Sequence, residues 1–197
     1  MYIKKYLLFG CIFTSAAFAQ DRAWQYTGGA MLTAGGDSVL KGRYTDGTKV
    51  DITTGSLVDL RFGVNVSLRP TVDIQTTLGI HNDGILSSDA NASFTCFPLE
   101  VMGFYQLNNS YRIGVGLRKS LSAKLSTEGV ANYVRDADYK SSVGNVLEFQ
   151  YLFGEKNLES KAKTALNFRF VKENFTEKTY GYKVKGNHIG FGVIFYN

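Results

Sequence analysis

The sequence is poor in cysteine, proline and histidine, and each shortage excludes something. Its 197 residues include two of each. Cys96 is the only cysteine beyond the N-terminal segment, so the rest of the chain cannot form an internal disulfide. Beyond that segment, no stretch approaches about 18 consecutive apolar residues, which argues against a membrane-spanning helix. The fold must therefore be stable without disulfides and without a helical anchor.

The first 19 residues have the three parts of an export signal. Lys4 and Lys5 form a basic start, the apolar stretch 7–17 follows, and Ala17-Phe18-Ala19 is a small-x-small cleavage site. We therefore predict a removed signal peptide at 1–19 and a mature domain at 20–197. An alternative is a lipoprotein signal ending at Cys11, although bulky Phe9 lies where a small residue is usual.

The charge balance gives little support to a nucleic-acid partner. The formal charge is +5, and it falls to +3 once Lys4 and Lys5 are removed with the signal. The remaining cations are dispersed, whereas nucleic-acid binding needs a concentrated basic patch. The sequence contains no glycine-rich phosphate loop and no ligand cluster with metal spacing, so it predicts neither a cofactor nor a metal site.

Residues 58–80 carry the clearest structural pattern. They read VDLRFGVNVSLRPTVDIQTTLGI, with an apolar residue at almost every second position on either side of Arg69-Pro70. Strict alternation is typical of a β-strand with one apolar and one polar face. Because proline cannot donate into a strand ladder, Arg69-Pro70 is predicted to be the turn of a hairpin.

The same alternation recurs along the whole mature chain. Pro98 lies inside one of the alternating runs, which predicts a bulge or an irregular strand end there. Residues 119–141 show no periodicity and are predicted to form a polar loop. The eight runs are 24–34, 58–68, 72–80, 93–107, 111–118, 143–153, 163–173 and 187–196.

These features predict an all-β fold, an eight-stranded antiparallel up-and-down transmembrane β-barrel. The connections alternate between long and short, as the outer loops and periplasmic turns of such barrels do. Each run has about the 10 residues that a tilted strand needs to cross the hydrocarbon. A soluble lipocalin-like periplasmic carrier is the rival, because it has the same alternation with the apolar face turned inward.

Aromatic and charged residues take different places in this barrel. Aromatic side chains at the periplasmic strand ends are predicted to form a girdle at the headgroup level. The predicted girdle residues are Trp24, Tyr26, Tyr105, Tyr111, Tyr151, Phe153, Phe195 and Tyr196. Eight strands leave an interior that side chains can fill, and buried charges must be paired, so we predict an ion-pair network with interior glycines making room for arginines. The predicted network residues are Asp59, Arg61, Arg69, Asp73, Glu100, Arg112, Arg118, Glu148, Lys163 and Arg169.

The chain resembles the small outer-membrane β-barrels of the outer membrane protein A, protein X and opacity-protein type. The resemblance rests on the signal peptide MYIKKYLLFGCIFTSAAFA, the eight alternating runs, and the terminal strand HIGFGVIFYN. That strand is similar to the signal that outer-membrane assembly machinery reads, although Asn197 here follows the terminal aromatic. The resemblance implies a monomer in the Gram-negative outer membrane, in contact with its lipid and lipopolysaccharide.

The function predicted from these features is structural or interactive, with the long loops contacting the exterior. Cationic side chains pair with phosphate, and the candidate contacts with lipopolysaccharide or an external ligand are Lys41, Arg43, Tyr44 and Lys49. The alternatives are a narrow small-solute channel and a lipid-modifying enzyme with a histidine beside an acyl chain. Neither His81 nor His188 is followed two residues later by serine, as in lipid A deacylases. No catalytic residue is therefore predicted.

Overall fold

A computed structural model describes residues 24–43, 49–86, 90–129, 135–153 and 163–197. The predicted signal peptide at 1–19 lies outside these residues. Within the described ranges, no helix is long and apolar enough to cross a membrane. The strands are β1 (Trp24–Gly35), β2 (Ser38–Arg43), β3 (Lys49–Thr53), β4 (Leu57–Arg69), β5 (Val72–Leu86), β6 (Ala90–Gln106), β7 (Tyr111–Gly129), β8 (Ala137–Ser141), β9 (Gly144–Phe153), β10 (Lys163–Lys172), β11 (Asn174–Glu177), β12 (Lys183–Lys185) and β13 (His188–Tyr196).

Eight of these strands form a closed antiparallel barrel. Their order around the barrel is β1, β4, β5, β6, β7, β9, β10 and β13, and β13 pairs back onto β1 with Tyr196 opposite Thr27. The turn predicted at Arg69-Pro70 lies one residue later, at Pro70 and Thr71, because Arg69 ends β4. The predicted fold class, an all-β eight-stranded antiparallel barrel, is confirmed. Closure pairs every strand on both sides, which is the condition for a sheet in lipid.

The apolar face of the barrel points outward. Phe62, Val115 and Phe191 are 68, 63 and 57% exposed. Gln75 of β5 and Gln150 of β9 are completely buried in the lumen. A lipocalin-like carrier requires the opposite arrangement, because its ligand cavity is lined by the apolar face.

We call the barrel end that holds Trp24 and Tyr196 the terminal end, and the opposite end the loop end. At the loop end β7 continues to Gly129, so the prediction of a polar loop over 119–141 is wrong. A register shift between Cys96 and Pro98 confirms the irregularity predicted at Pro98. It places an extra residue in β7, where the inward face passes from Ser120 to Ala123.

The polarity of the strands also inverts beyond this bulge. An apolar cluster, the loop-end cluster, fills the lumen there, so apolar residues face inward and polar residues face outward. Phe94 is its centre, with ring centroids 5.5 Å from Tyr139 and 5.4 Å from Phe175. The bulge and the inversion together explain why no single alternation marks this region in the sequence. The cluster comprises Leu40, Ile52, Ala92, Phe94, Cys96, Ala123, Leu125, Tyr139 and Phe175.

The hairpin β2–β3 folds onto this end of the barrel. It contributes Leu40 and Ile52 to the loop-end cluster. The backbone N–H and the hydroxyl of Thr53 both donate to Oδ2 of Asp83 on β5, at 2.7 and 2.8 Å. These contacts hold the hairpin against the barrel strands that carry the polar interior.

Candidate functional site

Glu100 of β6 lies at the centre of the polar lumen and accepts hydrogen bonds from three arginines. Nη1 of Arg118 donates to Oε1 at 2.7 Å, and Nη2 of Arg169 lies 2.9 Å from both carboxylate oxygens. Nη1 of Arg61 lies 3.4 Å from Oε2. The three guanidinium groups come from β7, β10 and β4, so a single carboxylate links strands across the barrel.

Further carboxylates complete this central network. Arg61 reaches Glu148 at 3.3 Å. Arg118 also contacts Asp59 and Glu173, each at 3.0 Å. All of these groups are at most 2% exposed. Their mutual pairing offsets most of the cost of burying these charges inside a barrel.

Two glycines make room for the arginine stems, as the sequence predicts for interior glycines. A Cβ added at Gly79 would lie 3.1 Å from Cγ of Arg61. A Cβ added at Gly190 would lie 3.3 Å from Cγ of Arg169. A side chain at either position would therefore press on the stem that carries a buried guanidinium.

The structure distributes the predicted interior residues over three places. Arg112 and Asp73 form a separate pair at 2.8 Å, nearer the terminal end. The prediction is wrong for Arg69 and Lys163. Both are exposed at the terminal ends of β4 and β10, where a long side chain reaches solvent instead of the lumen. The central network contains the remaining predicted residues, namely Asp59, Arg61, Glu100, Arg118, Glu148 and Arg169.

Sequence reasoning missed two members of the central network. Glu173 follows β10 and is 1% exposed. Glu173 lies an even number of residues after Arg169, so the alternation of that strand also predicts an inward side chain for it. Nδ1 of His81 lies 3.2 Å from Nη2 of Arg118, and His81 continues the inward series of Gln75 in β5.

The structure corrects the predicted girdle at Tyr196, which is 2% exposed and faces the lumen. Successive strand residues point to opposite faces, so Tyr196 lies opposite to its outward neighbour Phe195. The Tyr196 hydroxyl lies 3.0 Å from Oε1 of Gln75 and 2.9 Å from Oε1 of Gln150, and it accepts from Arg112. The other seven predicted girdle residues face outward: Trp24, Tyr26, Tyr105, Tyr111, Tyr151, Phe153 and Phe195.

The Tyr196→Phe variant is expected to lose about 1–2 kcal/mol of stability, because removal of the hydroxyl leaves buried polar groups of its neighbours without a hydrogen-bond partner. The urea midpoint of the barrel folded in detergent measures this loss. Tyr105→Phe is the matched control, since Tyr105 is 53% exposed and its hydroxyl meets solvent or headgroups. Equal shifts in the two variants would contradict an inward Tyr196.

Asp59, His81 and His188 converge near the loop end of the network. Asp59 of β4 lies directly opposite His81 of β5. The rings of His81 and His188 are 4.8 Å apart between centroids. One potential ligand atom from each of the three residues lies within 4.8 Å of the other two, and all three side chains are buried. Sequence spacing cannot show this group because its members come from β4, β5 and β13.

Three exposed lysines stand close together on the outer surface of the loop end. Lys140 of β8 and Lys183 of β12 flank Thr176 of β11 in one cross-strand row. Lys185 follows two residues after Lys183, and all three lysines are exposed. We call Lys140, Lys183 and Lys185 the cationic face. The turn between β11 and β12 adds two exposed aromatic rings, Tyr180 and Tyr182, whose centroids are 6.0 Å apart.

No protein-family model and no curated protein sequence matches the chain. Its structure is similar to that of Ail, the attachment invasion locus protein of Yersinia pestis, solved in complex with the heparin analogue sucrose octasulfate. The TM-score is 0.51 at 10% identity, and the match covers 90% of this chain and 100% of Ail. This likeness is one of fold, so the chain has the architecture of a small eight-stranded outer-membrane barrel.

Two other solved structures show similar coverage at lower structural similarity. Neisserial surface protein A has a TM-score of 0.48 and 9% identity, with 90% of this chain and 97% of that protein covered. The outer membrane protein AlkL, solved by solid-state NMR in lipid bilayers, has a TM-score of 0.43 and 10% identity. That match covers 88% of this chain and 85% of AlkL.

Proposed function

We propose that this protein is a monomeric outer-membrane barrel with an interaction role, whose loop end binds anionic groups, first of all the phosphates of lipopolysaccharide. The cationic face is the observation that carries this proposal. Lipopolysaccharide phosphates are multivalent anions, and several adjacent lysines on a stable sheet can neutralise them together. The signal peptide at 1–19 and the outer-membrane assembly machinery would bring the chain to that membrane.

The outer surface of the barrel supports a lipid environment. Apolar side chains cover the outward face of all eight strands, and outward aromatics gather at the terminal end. Tyr111 and Tyr151 stand on paired strands, with ring centroids 5.1 Å apart. Amphipathic rings of this kind favour the headgroup level. This arrangement supports an orientation with the terminal end in the periplasm and the cationic face outside the cell.

The filled lumen favours an interaction role over a small-solute channel. The three central arginines and their carboxylates occupy the middle of the barrel with at most 2% exposure. The loop-end cluster fills the lumen beyond them. A channel needs a continuous path of water, and both layers lie across that path.

The position of the histidines gives no support to a lipid-modifying enzyme. Such an enzyme needs a histidine beside an acyl chain at the outer surface. His81 and His188 are the only histidines in the chain, and they face the lumen with 3 and 5% exposure. We therefore propose that the protein is not an enzyme.

The geometry of the cationic face suits an anionic saccharide. Neighbouring strands lie about 4.8 Å apart, so Lys140 and Lys183 stand roughly 10 Å apart across β11. The rings of Tyr180 and Tyr182 add amphipathic surface beside them. The complex of Ail with sucrose octasulfate, a sulfated sugar on a barrel of similar fold, supports a search for ligands of this class.

The loop residues predicted as ligand contacts remain part of this proposal. Lys41 of β2 is exposed on the same end of the barrel. Tyr44 lies outside the described residues, and so do the side chains of Arg43 and Lys49. The lysines of the cationic face, which the sequence pattern did not single out, carry more of the proposal because the strand register brings them together.

The double variant Lys140→Gln with Lys183→Gln is expected to bind lipopolysaccharide about 10- to 30-fold more weakly at low salt, from about 1 kcal/mol per lysine near an anionic surface. Binding of fluorescent lipopolysaccharide to the barrel in nanodiscs measures this. The difference should shrink at high salt, because screening weakens exposed charges.

Arg69→Gln with Lys163→Gln is the matched control, because it removes two exposed cations at the terminal end. This control should bind as the wild type does. Equal losses in the two double variants would overturn a specific role of the cationic face. Cell fractionation tests the location separately. An outer-membrane barrel should be recovered in the outer-membrane fraction, and it should migrate differently on a gel before and after boiling.

A further inference from the structure

We infer that Asp59, His81 and His188 form a buried site for one divalent transition-metal cation of the zinc type. This inference goes beyond the proposed surface role and does not depend on it. The site lies in the lumen between the central network and the loop-end cluster. Two histidine nitrogens and one carboxylate oxygen are a donor set that zinc accepts, with bonds of about 2.0–2.2 Å.

The backbone positions the three donors. Asp59 and His81 are direct partners in the β4–β5 register, so their side chains project to the same face. His188 enters from β13 and brings its ring to 4.8 Å from that of His81. The ligand atoms lie within 4.8 Å of one another, so side-chain rotation has to draw them in by about 1 Å to bond one ion.

Backbone carbonyls determine which nitrogen of each histidine can bind a metal. Nδ1 of His188 lies 2.8 Å from the carbonyl of Gly186, and Nε2 of His81 lies 3.2 Å from the carbonyl of Ser56. A carbonyl only accepts, so Nδ1 of His188 carries its hydrogen. Nε2 of His81 also lies 3.0 Å from the hydroxyl of Thr33, which can donate, but the guanidinium of Arg118 can only donate to Nδ1, so the hydrogen of His81 is on Nε2. The lone pairs are therefore on Nε2 of His188 and Nδ1 of His81. Metal-binding histidines characteristically donate their other N–H in this way.

Among the residues that the structure describes, two of the three donors have no hydrogen-bond partner. Nε2 of His188 accepts no hydrogen bond from a described residue, although the residue is only 5% exposed. Oδ1 of Asp59 accepts no hydrogen bond from a described residue either, and Nε of Arg61 lies 3.6 Å from it. Buried polar atoms are normally paired, and atoms that are not require a ligand or an explanation.

The charge balance of the central network points to the same place. Its described members carry one more negative group than positive groups when both histidines are neutral. An uncompensated buried charge is unfavourable, and a cation beside Asp59 would offset it. The carboxylates are Asp59, Glu100, Glu148 and Glu173, and the guanidinium groups are Arg61, Arg118 and Arg169.

Arg118 is the group that a metal has to displace. Its Nη2 lies 3.2 Å from Nδ1 of His81, the nitrogen that would bind the ion. Arg118 keeps its contacts to Asp59, Glu100 and Glu173 through Nη1 and Nε when that one contact is lost. The competing explanation for the missing positive charge is a proton on one of the two histidines.

The test is metal binding to the tag-free full mature chain, refolded in detergent with Co²⁺ or Zn²⁺ present from the start. We expect one Zn²⁺ per chain after gel filtration, and visible absorption from bound Co²⁺. His188→Asn keeps an amide donor toward Gly186, and His81→Gln keeps one toward Ser56, while each removes the ligand nitrogen. Each variant should bind at least about 100-fold more weakly, as loss of a direct ligand exceeds the 10- to 100-fold cost of a supporting contact.

Cys96→Ala is the matched control. Cys96 lies on β6 directly opposite His81, and its thiol is a potential metal ligand that the proposed site does not use. It should bind Zn²⁺ as the wild type does. Gel migration before and after boiling shows which variants are folded. A folded wild type that binds no metal, or histidine variants that bind equally well, would overturn the site. Lipopolysaccharide binding should be unchanged in both histidine variants, so failure of either proposal is recognised separately.

Discussion

Replacement of Glu100 by glutamine is expected to lower the free energy of unfolding by about 3–5 kcal/mol, the loss typical of removing one partner from a buried ion pair. Glutamine keeps the size of the side chain and removes its charge. Arg61, Arg118 and Arg169 would then lose the carboxylate that they share. Urea titration of the barrel in lipid vesicles, followed by tryptophan fluorescence of Trp24, measures the loss.

The exposed pair between Lys124 and Asp136 provides the control. Its atoms are 3.1 Å apart, and the side chains are 49 and 48% exposed. The backbone N–H of Thr127 and the ammonium of Lys124 hold the pKa of Asp136 below its usual value. Solvent screens such surface pairs, so Asp136→Asn should leave the urea midpoint unchanged. An equally small effect of Glu100→Gln would contradict a central role for the buried network.

A double-mutant cycle with Arg169 sharpens this result. Arg169→Gln alone leaves Glu100 with fewer guanidinium donors. The double variant removes both members of the contact in which Nη2 of Arg169 lies 2.9 Å from both carboxylate oxygens. Residues in one buried network are coupled, so the double variant should lose less stability than the two single losses added together. Strict additivity would show that the two groups do not interact in the folded barrel.

Replacement of Phe168 by arginine is expected to cost about 2–4 kcal/mol, the cost of a cation on the lipid face of a barrel near the membrane midplane. Phe168 lies in the middle of β10, opposite Phe191 on one side and Phe149 on the other. Its side chain points outward and is 39% exposed. The same urea titration in lipid vesicles measures the effect.

Two further variants separate charge in lipid from other causes. Phe168→Leu keeps an apolar side chain and should cost much less than the arginine variant. Ser122→Arg adds the same cation at an exposed position in the bulge of β7, where we expect the strand to have left the lipid. If Ser122→Arg were as costly as Phe168→Arg, or if both had no effect, the apolar face would not lie in lipid.

The sequence by itself determined the class of fold and the direction of most side chains. Alternation with a period of two is a local property, because each strand residue points opposite to its neighbours whatever the strand pairs with. Residues 58–80 therefore predict both strands of a hairpin and their inward residues Asp59 and Arg61. The same rule applied to 187–196 would have turned Tyr196 inward, away from the girdle.

The tertiary structure decided everything that depends on where strands meet. The bulge in β7 depends on its register with β6, and the inverted polarity beyond it depends on the loop-end cluster, whose residues come from strands distant in sequence. Alternation assigns Arg69 and Lys163 to the inward face of their strands. Both lie at the terminal end of the barrel, however, where their long side chains are exposed to solvent. Asp59, His81 and His188 meet only because closure of the barrel brings β13, β1, β4 and β5 side by side. The spacing of the three residues along the chain does not encode this proximity.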